Sequence, residues 1–224
     1  MRAPIGIQIG KLVLTGPAAV LVTVLLAAAL VLLIVRAHPS TGMLLAGGIW
    51  AGFFTFWTLT GRPQGVAQRQ ESARSRGTHR ILMNLGLLLL FIPIPRLLRS
   101  FLSPNSWHVP VGLGIMGLAT LLHIWARLHL GRNWSSQVMI KVDHQLIRSG
   151  PYRLVRHPIY TAILGLALGT ALVSARITSL LGAALITMAY VRKLRLEEQG
   201  LAEAFGEEWK AYRHASWRLI PPVY

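Results

Sequence analysis

The chain has 224 residues, of which 53% are hydrophobic and 13% charged, and it contains no cysteine. This composition is typical of a membrane protein and leaves no length for a separate soluble catalytic domain. The absence of cysteine excludes disulfides, thiolate metal ligands and a cysteine nucleophile. The formal net charge of +16 fits anionic lipid rather than nucleic acid, because the cations flank apolar runs.

Apolar runs of membrane-spanning length dominate the first part of the chain. They cover residues 12–35, 41–60, 81–102 and 109–130. Each approaches the roughly 20 residues that a helix needs to cross the hydrocarbon core. The first run is too long for a signal-peptide core and lacks a convincing cleavage site, so a retained helix is predicted. Pro93 and Pro95 are expected to kink or end the third helix.

A fifth apolar stretch, residues 159–191, is too long for one simple span and is interrupted by Ser174 and Arg176. It predicts either two shorter helices in a hairpin or one long tilted helix. We therefore predict an all-α integral membrane protein with five to six transmembrane helices and a C-terminal amphipathic helix. In this single structural domain, residues 1–108 supply the N-terminal helices and residues 109–224 carry the chemistry.

Charge placement predicts the orientation of the chain in the membrane. If the N-terminus faces the cytoplasm and six segments alternate, most of the 23 Lys and Arg and all seven acidic residues fall on the cytoplasmic side. The positive-inside rule then places both termini and both long loops in the cytoplasm. Arginine exceeds lysine in an alanine-rich chain, as is typical of a GC-rich bacterial gene, so a bacterial inner membrane is the expected location.

Glycine spacings within the apolar runs predict helix packing rather than a cofactor site. Gly112, Gly114 and Gly117 spell G-x-G-x-x-G. A dinucleotide fingerprint must follow a strand and open a helix, whereas this one lies inside a membrane-length run. The pairs at residues 48/52 and 165/169 have the G-x-x-x-G spacing that lets helix backbones approach closely.

The fourth run carries ionisable residues near its inner end. His123 and Arg127 share a helix face, whereas His129 lies about two-thirds of a turn from His123. A two-histidine metal site is therefore poorly supported, and no metal is predicted. Arg127 has two interpretations that the sequence leaves open: an anchor that snorkels to the interface, or a cation in a substrate pocket.

The polar stretch GPYRLVRHPIY, residues 150–160, follows a short extended segment. It predicts a Gly-Pro turn and then a helix with Pro158 in its first turn. Arg156 and His157 therefore precede a helix N-terminus, where the helix dipole and free backbone N–H groups attract anions. An arginine at this position can grip a carboxylate with two parallel hydrogen bonds.

A second polar cluster, VRKLRLEEQGLAEAFGEEWKAYR, continues the last apolar run as an amphipathic helix. Lys193 and Glu197 are four residues apart, so they can form an intrahelical pair. Taken alone, this cluster is typical of a plain surface helix.

Together the two clusters resemble a known family. The order H-x-L-I-x-x-G-P-Y-x-x-V-R-H-P-I-Y, an apolar hairpin, R-K-x-R-x-E-E and F-G-E-E-W-x-x-Y-R is similar to the isoprenylcysteine carboxyl methyltransferases and their relatives, the phospholipid N-methyltransferases. The resemblance extends from Leu130 to the C-terminus and is most specific from His144 to Tyr160. It implies that both clusters fold over S-adenosylmethionine at the cytoplasmic membrane surface, while the lipid acceptor enters from the bilayer.

The resemblance also implies roles for individual residues. Those implied to bind the cofactor are His144, Leu146, Ile147, Gly150, Tyr152, Arg156, His157, Tyr160, Glu197 and Glu198. Those implied to act in catalysis or on the acceptor are Arg192, Lys193 and Glu197. Adjacent helical residues differ in direction by about 100°. Which member of the glutamate pair, and which of the Arg-Lys pair, points into the site therefore stays open.

The implied reaction is methyl transfer to a lipophilic acceptor, first of all the carboxylate of an isoprenylcysteine-like or other lipid. Two alternatives are N-methylation of a phospholipid amine and an NADPH-binding sterol-type reductase, a group with a related R-H-x-x-Y turn; G-P-Y and the glutamate pair favour methyl transfer. A membrane scaffold or transporter would need paired polar residues near the bilayer midplane or an inverted repeat, which the sequence lacks. The expected partners are the lipid or prenylated acceptor and membrane lipids, with no nucleic acid, and the expected state is a monomer or weak oligomer.

Overall fold

The computed structural model defines the fold over most of the chain. The described residues are 6–9, 12–15, 40–60, 67–92, 102, 106–131, 139–141 and 145–222. They belong to two compact units, Met1–Pro39 and Ser40–Tyr224. In the first unit, strands β1 (Gly6–Ile9) and β2 (Leu12–Thr15) pair antiparallel. The predicted first helix is therefore wrong at its start, because residues 12–15 satisfy their backbone hydrogen bonds across a strand pair; the rest of that predicted helix lies outside the described residues.

The second unit is built mainly from helices, which confirms the predicted all-α membrane class. Its elements in chain order are α1 (Thr41–Leu59), β3 (Ala67–Gln70), α2 (Ala73–Phe91), α3 (His108–Leu130), β4 (Met139–Lys141), a 3-10 turn (Gly150–Arg153), α4 (Pro158–Ser174) and α5 (Ile177–Ala215). The short strands β3 and β4 pair antiparallel and join the segment before α2 to the segment after α3. The most extensive helix contacts are those of α3 with α4 and of α2 with α5.

Local capping and proline explain the ends of α2. Its N-cap residue Ser72 accepts a hydrogen bond from the backbone N–H of Ser75 at 3.2 Å, a contact that favours a helix start. The helix therefore begins before the predicted apolar run at Ile81, because the preceding polar residues suit a helix although they do not suit the hydrocarbon core. It ends at Phe91, just before Pro93, which cannot continue a helix.

Among the described residues, three helices, α1, α3 and α5, are long and apolar enough to cross a membrane, and α4 is a shorter apolar helix. On α3, Leu118 and Leu121 are 70% and 65% exposed, as a lipid-facing surface requires. Helix α5 is interrupted at Gly206; the part before the interruption, residues 177–205, is about 44 Å long at 1.5 Å per residue and exceeds the hydrocarbon core of about 30 Å. Its apolar part, residues 177–191, is about 22 Å long by the same measure, which is shorter than that core, and its charged part, residues 192–215, follows.

The break predicted at Ser174 and Arg176 separates α4 from α5. Between the two helices, Ala175 adopts left-handed backbone with φ of 48°, and its N–H donates to the carbonyl of Ala171. The two helices therefore form the predicted hairpin rather than one tilted helix. A second interruption, at Gly206 with φ of 49°, divides α5 within its charged part.

Glycines set the closest approaches between helices. A Cβ added at Gly169 on α4 would lie 2.7 Å from the carbonyl oxygen of Gly112 on α3. One added at Gly182 on α5 would lie 2.6 Å from the carbonyl oxygen of Gly86 on α2. The predicted packing role is thus confirmed for Gly169. It is wrong for the pair at residues 48/52, which faces open space in the described structure, because a G-x-x-x-G spacing does not identify a neighbour.

Alanine at these two kinds of glycine should have opposite effects. Gly169→Ala places a Cβ 2.5 Å from Cγ of Met116, so we expect a loss of about 1–3 kcal/mol in the free energy of unfolding. Gly48→Ala adds a methyl group in open space and should stabilise its helix by up to about 1 kcal/mol. Thermal unfolding of both variants in detergent measures the difference, and equal midpoints would contradict the assigned packing.

Candidate active site

The turn before α4 is shaped by Gly150 and Pro158. Gly150 has φ of 59° and lies against the ring of His129, where an added Cβ would be 2.7 Å from Cε1. Both the backbone and the available space therefore require glycine. Pro158 is the first residue of α4, as predicted. Tyr152 in this turn is buried, and its carbonyl accepts a hydrogen bond from the Tyr212 hydroxyl at 2.7 Å.

Glu198 of α5 is the centre of an ion-pair cluster at this turn. Arg156 Nε lies 3.1 Å from Oε1 of Glu198, and His157 Nε2 lies 3.2 Å from the same oxygen. Arg218 Nη2 donates to the other oxygen, Oε2, at 2.6 Å. The predicted two-bond grip of Arg156 on a bound anion is not what the described side chain makes: it contacts a carboxylate, that of Glu198. That carboxylate belongs to the protein and is held through one nitrogen, because Nη1 of Arg156 donates to backbone carbonyls at the C-terminal end of α5.

Glu198 lies in the charged part of α5, beyond the membrane-spanning part. Burial raises the pKa of its carboxyl group, but hydrogen bonds from His157, Arg218 and Arg156, together with the charge of His157, outweigh that effect. The pKa is lowered from 4.5 to about 2. Glu198 is therefore a carboxylate at neutral pH, and it is poorly suited to accept a proton.

Glu197 contacts the same turn from the adjacent helix position. Its Oε2 accepts a hydrogen bond from the Tyr160 hydroxyl at 2.6 Å and lies 3.9 Å from Nδ1 of His157. The His157 and Tyr160 rings stack with their centroids 5.3 Å apart. The side chain of Glu197 is 35% exposed, against 9% for Glu198. Both glutamates therefore reach the turn, and Glu197 is the more accessible of the two.

Lys193 and Arg192 contact different neighbours. Lys193 is buried, with Nζ 5.6 Å from the centre of the Tyr160 ring and 6.0 Å from that of Tyr190, the distances of a cation–π contact. Arg192 donates to the backbone carbonyl of Ser75 on α2 at 3.2 Å. Of the Arg-Lys pair, the structure therefore brings Lys193 to the glutamate–tyrosine cluster, whereas the described contacts of Arg192 are with the N-terminal end of α2.

The remaining residues implied to bind the cofactor lie before the turn. Leu146 packs against a small cluster that contains Trp209 and Tyr212, and Ile147 packs against the main core. Both side chains therefore attach this segment to the helices. His144 lies outside the described residues.

A cavity of about 760 Å³ opens beside the Glu198 cluster. It is lined by Arg156, Arg213, His214, Ala215, Ser216, Trp217 and Arg218. Guanidinium groups and an indole ring suit a ligand that carries a carboxylate and a planar ring. Sequence reasoning missed Arg213 and Arg218 because the C-terminal tail follows no periodic pattern. The available signal was the density of cations around Trp217.

His123 and Arg127 of α3 belong to a separate buried group. The His123 ring lies 4.4 Å from that of Phe53 and stacks on that of Trp57 at 5.7 Å. Arg127 is buried and donates a hydrogen bond to the backbone carbonyl of Thr60, at the end of α1, so it joins two helices rather than snorkelling to the interface. In the described part of the chain, no group of three or more His, Asp or Glu side chains could hold a metal ion.

Comparison with known proteins identifies relatives of this arrangement. Residues 112–203 match the model of the isoprenylcysteine carboxyl methyltransferase (ICMT) family. The cobalt-zinc-cadmium resistance protein CzcN of Cupriavidus metallidurans is 31% identical over 65% of this chain and 64% of its own. A probable protein-S-isoprenylcysteine O-methyltransferase of Oryza sativa is 29% identical over 56% of this chain and 70% of its own. The solved structure of a eukaryotic intramembrane Ras methyltransferase, ICMT, is 20% identical, with a TM-score of 0.49, over 70% of this chain and 55% of its own.

Apolar helices long enough to cross a membrane, with a charged cluster at their polar end, define an integral membrane protein. Residues 112–203, less than half of the chain, match the ICMT family model, which confirms the resemblance drawn from the motifs. The chain spans between 48% and 73% of the lengths of its curated relatives. Its own reaction and acceptor are therefore matters of proposal.

Proposed function

We propose that the protein transfers a methyl group from S-adenosylmethionine to the carboxylate of a lipophilic acceptor, an isoprenylcysteine-like or other lipid. The observation that carries this proposal is the meeting of Glu197 and Lys193 with Tyr160 at the polar end of membrane helices. The match of residues 112–203 to the ICMT family model supports it, as do relatives named protein-S-isoprenylcysteine O-methyltransferase.

The chemistry of the described side chains fits S-adenosylmethionine. The carboxylate of this cofactor suits the arginine-lined cavity, where Arg213 would hold it. Its ammonium group and ribose hydroxyls need a carboxylate with spare acceptor capacity. Glu197 has that capacity, because an ionised carboxylate accepts about four hydrogen bonds and Glu197 accepts one from Tyr160 in the described structure. Glu198, already engaged by three donors, would instead hold the turn.

When bound, S-adenosylmethionine supplies a methyl group made electrophilic by a sulfonium. An acceptor carboxylate is ionised at neutral pH and needs no general base. The protein's tasks are therefore to position this carboxylate, to balance its charge and to exclude water. Lys193 suits the first two tasks because its amino group lies over the Tyr160 ring at the membrane end of the charged part of α5. Burial lowers the pKa of this amino group, whereas the charges of Glu197 and Glu71 raise it. Arg192 would hold α5 against α2 through Ser75.

The proposed location is a bacterial inner membrane, with the site and both termini in the cytoplasm. The charge distribution supports this orientation, because the polar turn and the charged part of α5 carry the cations that the positive-inside rule assigns to the cytoplasm.

Methylation of native lipids tests the proposal. The purified protein, in nanodiscs that contain a bacterial lipid extract, would be incubated with methyl-labelled S-adenosylmethionine, and the labelled lipids identified by mass. We expect label that alkali releases as methanol, the behaviour of a carboxyl methyl ester. Alkali-stable label in a headgroup amine would show that the acceptor is an amine rather than a carboxylate. Tight NADPH binding without S-adenosylmethionine binding would overturn methyl transfer altogether.

Removing the Tyr160 hydroxyl should weaken cofactor binding. Tyr160→Phe deletes the hydrogen bond to Glu197 and leaves that carboxylate with the longer described contact to Nδ1 of His157, at 3.9 Å. We expect the KM for S-adenosylmethionine to rise about ten- to hundredfold, the usual value of a hydrogen bond to a charged group. Tyr190→Phe is the matched control because it keeps the ring contact with Tyr160. An equal KM for S-adenosylmethionine in the two variants would contradict the proposed contact between Glu197 and the cofactor.

A further inference from the structure

The C-terminal segment, residues 216–222, runs along the turn that precedes α4. The backbone N–H of Arg156 donates to the carbonyl of Trp217 at 2.8 Å, and the N–H of Trp217 donates to the carbonyl of Leu154 at 2.9 Å. This parallel backbone pairing sets the register of the segment against the same turn that holds Glu198. The segment is therefore part of the site's framework.

Two further contacts fix the segment on either side of Arg218. The backbone N–H of His157 donates to the carbonyl of Arg218 at 3.2 Å. Leu219 is 3% exposed in the main core, and its carbonyl accepts a hydrogen bond from the Thr161 hydroxyl of α4 at 2.8 Å. With its backbone held in this way, Arg218 reaches Oε2 of Glu198 at 2.6 Å.

We infer that Arg218 is a positioning residue of the site. Arg156 and His157 hold only Oε1 of Glu198. A carboxylate held at one oxygen can turn about its terminal torsion, which is broad, whereas contacts on both oxygens fix its plane. By holding Oε2, Arg218 keeps the turn in the arrangement that receives the cofactor. The inference rests on the proposed function and goes beyond it, since it adds the C-terminal segment to the site.

The charged and titratable groups around Glu198 come from several elements. They are Arg156 and His157 from the turn, Arg218 from the C-terminal segment, and Glu197 and Tyr212 from α5. Because the hydrogen bond from Arg218 lowers the pKa of Glu198, removing Arg218 must raise it. A purely structural contact elsewhere in the segment would leave this titration unchanged.

Kinetics of Arg218 variants test the inference. We expect Arg218→Gln to raise the KM for S-adenosylmethionine about ten- to hundredfold, with a smaller change in kcat, and to shift the acid limb of kcat/KM to higher pH. Arg218→Lys should lie between this variant and the wild type, because an ammonium group keeps the charge but not the planar fork. Arg148→Gln is the control: it removes an exposed ion pair with Glu208 and should change neither quantity. Wild-type KM and pH profile in Arg218→Gln would overturn the inference.

A carboxyl titration separates the inference from the proposed methyl transfer. Protein labelled with ¹³C at the glutamate δ-carbon would be titrated in detergent, with Glu198→Gln assigning the Glu198 signal. In the wild type this signal should remain ionised where an ordinary glutamate protonates, and in Arg218→Gln it should titrate at higher pH. An unchanged titration overturns the role of Arg218 even in an active enzyme. If the wild type methylates no lipid, the proposed function is wrong, but the role of Arg218 in the titration is still tested. If Arg218→Gln does not fold, both measurements are made on Arg218→Lys, for which an intermediate shift is expected.

Discussion

Glu198→Ala is expected to abolish S-adenosylmethionine binding and to lower the free energy of unfolding by about 3–5 kcal/mol. The variant leaves the side chain of Arg156, which is 7% exposed, without its counter-charge, and the same holds for Arg218. The contribution of Glu198 to stability depends on pH. Its folded-state pKa of about 2 lies below the ordinary 4.5, so the contribution is complete above 4.5 and is lost as the pH falls through 2. Denaturant unfolding in detergent and calorimetric cofactor titration measure the two effects.

Adding Arg156→Ala to Glu198→Ala should restore part of the lost stability without restoring cofactor binding. The second change removes a buried cation that the first left unbalanced, so we expect a coupling energy of about 1–3 kcal/mol between the two positions. Glu207→Gln is the matched control, since its exposed pair with Lys210 contributes little. Strictly additive losses would contradict a shared ion-pair cluster. Full cofactor binding by the double variant would refute the site assignment.

The predictable parts of the structure are those encoded locally. Pro158 has no backbone N–H and a fixed φ, so it marks the first turn of α4 regardless of what packs around it. The polar interruption at Ser174 and Arg176 likewise separates two helices, because neither would be satisfied inside a long apolar span. The family resemblance implies that the glutamate pair lies opposite the turn, and the ion pair of Arg156 with Glu198 agrees with that placement.

The parts that escape prediction depend on distant partners. Nothing near Arg218 in the sequence indicates that it pairs with Glu198, because the contact follows from the path of the tail after α5 ends. The G-x-x-x-G pair at residues 48/52 has the same spacing as the packed pair but no neighbour within the described structure. Helix α2 begins eight residues before Ile81 because capping by Ser72, rather than hydropathy, sets its first turn.

Lys193→Met is expected to reduce kcat for a carboxylate acceptor by about 10²- to 10³-fold, the usual effect of removing one electrostatic contact to the reacting group. Methionine has a similar length and tolerates the buried position, so the cation is the main loss. The affinity for S-adenosylmethionine should change less, because the proposed cofactor contacts are with Glu197 and Arg213. Single-turnover methylation and equilibrium cofactor binding separate the two quantities.

Arg192→Gln is the adjacent comparison for Lys193→Met. It removes a contact with Ser75 of α2 rather than one with the Tyr160 cluster, so its effect on kcat should be much smaller. A larger loss of kcat in Arg192→Gln than in Lys193→Met would indicate that Arg192, rather than Lys193, contacts the acceptor.

The same pair of variants also discriminates between acceptor classes. A buried cation attracts a carboxylate but repels an amine that is protonated when it binds. Lys193→Met should therefore slow methylation of a carboxylate. Faster turnover in that variant would indicate an amine acceptor.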